Sequence, residues 1–293
     1  MTPAGPLSSF VTAQDGLRLH VREWGRRGAE GLPVVCLPGL ARTVADFEPL
    51  ATALADDRAR RVLALDSRGR GKSEYDRKAA NYTLEVELAD LLAVLTALEI
   101  GTAVFVGTSR GGILIMQLGA ARPTALAGCV LNDIGPVIEP EGLARIKGYV
   151  GRLPQPVSFK DGAVILRKLF GSQFTALRES DWLAFARRTF REEGDRMVPN
   201  YDVKLATILQ EVDLEQPLPA LWKEFDSLAR VPMMVIRGDN SDILSVTTVE
   251  AMRRRRESLE LVTVADQGHA PLLADSATIG RIAGFIKECD ARG

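Results

Sequence analysis

Leu17, Leu19 and Val21 alternate with Arg18, His20 and Arg22, the two-residue period of a strand with one buried face. His20 falls on the polar side of that alternation and is expected at the surface. Val34 to Leu37 is apolar throughout and stops at Pro38-Gly39, as a strand covered on both faces does. Phe47, Leu50, Ala51 and Leu54 then recur at helical spacing, and 61–65 reads as the next strand. Leu84, Leu88, Leu91, Leu92 and Leu95 mark a strong helix with Thr83 as its N-cap. A strand over 102–106, a helix over 109–121 and a strand over 129–131 follow. Wholly apolar short strands separated by amphipathic helices predict a parallel sheet with helices on both faces, an α/β fold.

That rhythm stops near Gly135-Pro136. From Glu139 to about Ala229 the pattern is helical and charged, broken by Pro154, Pro156, Pro199, Pro217 and Pro219. It predicts a helical cap over 137–229, inserted into a core formed by 1–136 and 230–293. The strand–helix alternation resumes at 231–236 and continues through a helix over 246–256 and a strand over 259–264. A helix over 277–289 ends it. The cap's leucines and its aromatic residues, Phe170, Phe174, Trp182, Phe185, Phe190 and Trp222, are expected mainly to pack cap helices together; the alternative is that they line a pocket.

Composition narrows the class without naming a function. Hydrophobic residues make up 46% and charged residues 26% of 293 residues, an ordinary globular balance. Thirty-seven basic residues against 38 acidic ones leave a net charge of −1, which favours neither nucleic acid nor an anionic membrane as partner. The run Arg253 to Arg256 reads as a solvated helix end. Cys36, Cys129 and Cys289 form no CxxC pair and fit neither a disulfide framework nor a zinc site, so a reducing compartment is expected. The start MTPAGPLSSF has no secretory pattern, and the most apolar helical stretch, 111–121, is too short to span a bilayer. A soluble cytoplasmic protein is the expectation, with no metal or cofactor.

The chemistry concentrates in Gly107-Thr108-Ser109-Arg110-Gly111-Gly112, between the strand ending at Val106 and the apolar helix that follows. G-x-S-x-G in strand–turn–helix context is a nucleophile elbow, whose tight turn lifts a serine hydroxyl above the sheet edge. A serine hydroxyl needs an adjacent base. Of the chain's two histidines, His269 lies in the loop Gln267-Gly268-His269-Ala270-Pro271 after the final strand, with no packing role in view. A carboxylate must fix the imidazole tautomer. Asp133, Asp239 and Asp242 all follow strands; Asp239 comes so soon that turn capping is its simplest role. Asp242, three residues further along, is the preferred acid, and Asp133 and Asp239 remain alternatives. Gly71-Lys72-Ser73 is not a phosphate loop, because position 66 is Asp66 where that motif needs glycine.

The order Ser109, Asp242, His269 resembles that of the α/β-hydrolase fold superfamily. The likeness runs nearly end to end. Leu37-Pro38-Gly39-Leu40 resembles the family's oxyanion loop, with Pro38 where a histidine is common. Asp66-Ser67-Arg68-Gly69-Arg70-Gly71-Lys72-Ser73 resembles its D-x-R-G-x-G-x-S segment, and the loops at 238–242 and 268–271 resemble its acid and histidine loops. The resemblance implies a mostly parallel eight-stranded sheet flanked by helices. It also implies an oxyanion hole from the backbone N–H groups of Leu40 and Arg110. Arg110 departs from the apolar or amide residue common after the serine; its side chain is either solvated or paired with a carboxylate.

The expected activity is a serine esterase (carboxylesterase) acting on small to medium, mainly apolar ester substrates through an acyl-enzyme. A lactonase or a carbon–carbon bond (diketone) hydrolase with the same triad is the alternative within the enzyme class. A non-catalytic ligand receptor on the same scaffold is the alternative outside it. Dehalogenase and epoxide hydrolase chemistry is disfavoured, since that branch carries aspartate where this chain has Ser109. A small-molecule ester is the expected partner, and a homodimer is compatible with the sequence.

Overall fold

The computed structural model describes residues 5–56, 60–216 and 218–292. The first four residues of the stretch read for a targeting signal, and the cap break at Pro217, lie outside them. The chain begins with β1 (Leu7–Thr12), β2 (Arg18–Trp24), β3 (Val34–Leu37), α1 (Glu48–Ala55) and β4 (Val62–Leu65). It continues through α2 (Leu84–Ala97), β5 (Ala103–Thr108), α3 (Arg110–Ala121) and β6 (Leu126–Asn132). Next come α4 (Pro140–Tyr149), α5 (Phe159–Phe170), α6 (Glu179–Thr189), β7 (Phe190–Glu193), β8 (Arg196–Pro199), α7 (Ala206–Gln210) and α8 (Trp222–Ser227). The last elements are β9 (Met233–Gly238), α9 (Val246–Arg255), β10 (Glu260–Val264) and α10 (Ser276–Asp290).

Among the described residues the main sheet has eight strands in the order β1-β2-β4-β3-β5-β6-β9-β10. From β4 to β10 neighbours run parallel, while β2 is antiparallel to both β1 and β4. Alternate residues of one strand enter different cores: Val35 and Leu37 pack on one face of the sheet, Val34 and Cys36 on the other. This is why the central strands read as unbroken apolar runs.

β1 escapes the periodicity argument because it is an edge strand with mostly exposed side chains and a serine-rich sequence. Its presence corrects the expectation for His20. β2 is an inner strand paired along both edges, and although Arg18 on the same face is exposed, His20 is only 1% exposed. The Nδ1–H of His20 donates to Asp66 Oδ2 at 2.8 Å, and Nε2 accepts from Ser8 Oγ at 3.1 Å. Arg256 is a smaller correction. Arg253 to Arg255 are exposed, but the Arg256 guanidinium is buried and donates to the carbonyls of Leu228 (2.5 Å) and Val231.

The segment 66–73 acts as a fastener beneath the site. Asp66 accepts from the backbone N–H of Val44 at 2.8 Å and of Lys72 at 3.1 Å, besides His20. Arg68 is 1% exposed and pairs with Asp15 (2.9 Å), Asp76 (2.7 Å) and Asp90 (2.6 Å). Removing the one cation of a buried cluster leaves carboxylates unpaired, so Arg68→Met should lower stability by about 3–5 kcal/mol. Urea denaturation of parent and variant measures it; a change within about 0.5 kcal/mol, typical of an ordinary surface site, would contradict the account.

Between β6 and β9 the chain leaves the sheet. Residues 137–229, expected to be helical, contain α4 to α8 and also the antiparallel hairpin β7–β8. They form their own core from α5, α6 and the hairpin, with Leu166, Phe170, Phe174, Trp182, Phe185 and Phe190 in it. Backbone bonds from Gly71 N to Asn200 O (2.9 Å) and from Asp202 N to Gly69 O (2.7 Å) tie this region to the 66–73 segment. Among the described residues no helix is long and apolar enough to cross a membrane.

Candidate active site

Four loops meet at the carboxyl ends of the parallel strands, where open α/β sheets place their ligands. Ser109 follows β5 directly and adopts φ 51° and ψ −115°, a conformation L-residues rarely take. The turn closes only because its flanks lack side chains. A Cβ on Gly107 would stand 2.5 Å from the Gly111 carbonyl carbon, and one on Gly111 would strike the Leu37 carbonyl. Ser109 N–H donates to Asn132 O at 3.0 Å, tying the turn to the end of β6.

His269 Nε2 lies 2.8 Å from Ser109 Oγ, and its Nδ1 lies 2.8 Å from Asp133 Oδ2. A carboxylate only accepts, so Nδ1 carries the ring proton and Nε2 is free to accept from the serine hydroxyl. The imidazole is nearly buried and the Asp133 carboxylate wholly so. Asp133 Oδ1 also accepts from Gly238 N–H at 2.8 Å, and Oδ2 from Ser241 Oγ at 2.6 Å. Every polar edge of the carboxylate therefore has a donor.

The carboxylate facing His269 is Asp133, not Asp242, which corrects the preferred acid. β6 is the neighbour of β5 in the sheet, with Thr108 paired to Asn132, so the residue after Asn132 stands beside the serine turn. β9 lies one strand further out. Asp242 is engaged elsewhere: Arg145 of α4 donates to it from Nε at 2.6 Å and from NH2 at 2.8 Å. Burial pushes the Asp242 carboxyl up, but Arg145 outweighs it and holds the group below the usual carboxylate range. Asp239 continues the pairing of β9 with β10, its N–H donating to Val264 O at 2.9 Å, and among the described residues its side chain makes no turn-capping hydrogen bond.

Two further side chains fix the histidine loop, and no local sequence signal marks either. Gln173, from the segment after α5, accepts from the His269 backbone N–H at 2.9 Å through Oε1. Asn132 Nδ2 donates to Pro271 O at 2.9 Å and to Thr108 Oγ1 at 3.0 Å.

Leu40 and Arg110 flank Ser109 at the ends of β3 and β5. Among the described residues neither backbone N–H donates a hydrogen bond. A buried ionic chain connects the two turns. Arg70 Nε donates to Leu40 O at 2.7 Å, Arg70 NH1 stands 2.7 Å from Glu87 Oε1, and Arg110 Nε donates to Glu87 Oε2 at 2.7 Å. The Arg110 side chain is thus paired. Burial pushes the Glu87 carboxyl up, but the two guanidiniums outweigh it and hold the group below its ordinary value.

Above Ser109 and His269 lies a cavity of about 100 Å³. Ile146, Leu166, Phe170, Phe174 and Phe185 supply much of its apolar wall. Of the other aromatic residues of 137–229, Trp182 and Phe190 pack in that segment's own core, and Trp222 packs on Phe225 beneath the Arg255 guanidinium. The buried thiols are no nucleophiles: burial pushes Cys129 up to about 12 and Cys36 higher still, and Cys289 up to about 11. Among the described residues no group of histidine, cysteine and carboxylate side chains has the arrangement of a metal site.

The chain is similar to known proteins along nearly its whole length. A model of the alpha/beta hydrolase family matches residues 34–280. The chain is 31% identical over 286 residues to the 3-hydroxybutyrate-oligomer hydrolase of Cupriavidus necator, covering 94% of this chain and 96% of that protein. It is 26% identical over 274 residues to the 2-(acetamidomethylene)succinate hydrolase of Mesorhizobium japonicum, covering 92% of each. The crystal structure of an alpha/beta hydrolase from Novosphingobium aromaticivorans matches with a TM-score of 0.87 at 39% identity, covering 97% of this chain and 99% of that one.

Proposed function

Because this chain belongs to the alpha/beta hydrolase family, we propose that it is a serine hydrolase that cleaves carboxylic esters through an acyl-enzyme. The observation that carries this reading is the continuous contact from Asp133 through His269 to Ser109, 2.8 Å at each step. That distance is hydrogen-bond reach for a general base and its nucleophile. The naming of the similar proteins as hydrolases of a hydroxy-acid oligomer and of a substituted succinate supports hydrolysis as the reaction.

In this mechanism His269 Nε2 takes the proton of Ser109 as Oγ attacks the ester carbonyl. Asp133 stabilises the imidazolium that forms and holds its tautomer. The tetrahedral oxyanion accepts from the N–H groups of Leu40 and Arg110. The second stands at the N-terminus of α3, where free N–H groups and the helix dipole favour negative charge. One such donor contributes about 2.7–4 kcal/mol to the barrier reduction. His269 then gives its proton to the departing alkoxide. Water, deprotonated by the same imidazole, releases the acid and restores Ser109. Leu40 and Arg110 are supported by their turn positions and unengaged N–H groups, and Arg70 and Glu87 hold those turns.

A fluorophosphonate probe tests the assignment. One adduct per chain is expected, and peptide mapping should place it on Ser109. Labelling at another residue, or none under conditions that label a control serine hydrolase, would overturn the reading. A panel of esters, lactones and diketones with the same preparation distinguishes ester cleavage from the two alternative hydrolyses.

A further inference from the structure

The triad does not account for the charge that stands beside it. Arg42 follows Leu40 by two residues and lines the same cavity as Ser109 and His269. The point that a Cβ would occupy on Gly39 is 3.5 Å from Arg42 Cγ and 3.7 Å from Ser109 Cβ, so the two side chains start close together. The Arg42 guanidinium is held rigidly. Nε and NH2 donate to Asp46 at 2.6 and 2.5 Å, NH1 donates to Thr189 Oγ1 at 2.7 Å, and the group lies 4.7 Å over the Phe185 ring. These bonds use three of its five N–H donors.

Asp46 does not neutralise Arg42 alone. Arg188 of α6 reaches the same carboxylate, its Nε 3.7 Å from Asp46 Oδ1, and its side chain is 14% exposed. Among the described residues the buried Arg188 Nε has no hydrogen-bond partner. The other carboxylates near it are engaged, Glu48 by Arg22 at 2.8 Å and Asp181 by the Arg178 backbone N–H at 2.9 Å. Arg145 and Asp242 form a neutral pair of their own. Two guanidiniums therefore share one carboxylate, and of these groups Arg42 and Asp46 line the cavity. Burial foremost, and the charge of Arg42, hold the Arg188 guanidinium below its ordinary pKa against the pull of Asp46. A bound anion would relieve that cost.

We propose that Arg42, backed by Arg188, is a subsite for a substrate carboxylate, and that the preferred substrates are esters carrying a carboxylate within a few bonds of the scissile carbonyl. This rests on the esterase reading above and adds the substrate class to it. An arginine with idle donors beside the serine forms charge-assisted hydrogen bonds to a carboxylate and discriminates against a neutral isostere, which leaves those donors unpaired.

Two matched pairs of substrates test it. Phenyl hydrogen glutarate against phenyl pentanoate places the carboxylate on the acyl side; 3-acetoxybutyrate against its methyl ester places it on the alcohol side. At least a tenfold higher kcat/KM for the charged member of one pair is expected, and Arg188→Met should bring that ratio towards one. Charged and neutral members hydrolysed equally well in both pairs would overturn the subsite while leaving the esterase reading intact. A ratio unchanged in folded Arg188→Met protein would do the same to the role of Arg188. No Ser109-dependent hydrolysis of any of the four esters would instead sink the esterase reading itself.

Discussion

Ser109→Ala should reduce kcat for a short p-nitrophenyl ester by at least about 10⁴-fold. The loss is expected to be almost purely chemical. The strained backbone at Ser109 is imposed by the close approach of Gly107 to α3 and of Gly111 to β3, neither of which involves the hydroxyl. In the described structure Ser109 Oγ bonds only to His269. The variant should therefore unfold at the same urea concentration as the parent, within the range of an ordinary surface change. Initial rates on purified protein, with unfolding curves alongside, separate the outcomes. A parent-like rate would place the nucleophile elsewhere, and a large stability loss would mean that the hydroxyl has a structural role.

Asp133→Asn should cost about 10⁴-fold in kcat, and Asp242→Asn no more than about tenfold. An amide at 133 still fits the space, but it now has donors to present. Facing His269 with its NH2 group, it favours the tautomer with the proton on Nε2, the nitrogen that must accept from Ser109. Asp242 lies in a half-buried pair with Arg145, so its amide variant weakens an ion pair and leaves the relay untouched. Rates of both variants with one substrate decide the matter. If the Asp242 variant is the more damaged of the two, Asp133 is not the acid.

The contrast between these two aspartates shows how far the primary structure carries. Ser109 and His269 were legible because each sits in a local pattern with chemical meaning, and because a chain with two histidines leaves little choice of base. The acid was not. Three aspartates follow strands, and chain order is satisfied by any of them. The choice depends on which strand neighbours β5 and on a partner, Arg145, that lies 97 residues from Asp242. Gln173, 96 residues from His269, is equally invisible, as is the link from Arg70 through Glu87 to Arg110. The burial of His20 is hidden from the sequence for the same reason. Its alternation with Arg18 and Arg22 is real, but periodicity does not tell that β1 covers the strand's outer edge.

The elements from β3 to β6 and from β9 to α10, the doubly covered sheet, the serine turn and the candidate base follow from the primary structure alone, because each is encoded by spacing within a few residues or by a scarce residue type: apolar runs, helical periods, glycines where no side chain fits, and two histidines. Which carboxylate faces the imidazole, which donors hold its loop, and where unbalanced arginine charge gathers beside the serine were decided only by tertiary structure. Those properties depend on strand adjacency and on residues of 137–229 that reach the site, distances through space that spacing along the chain does not encode.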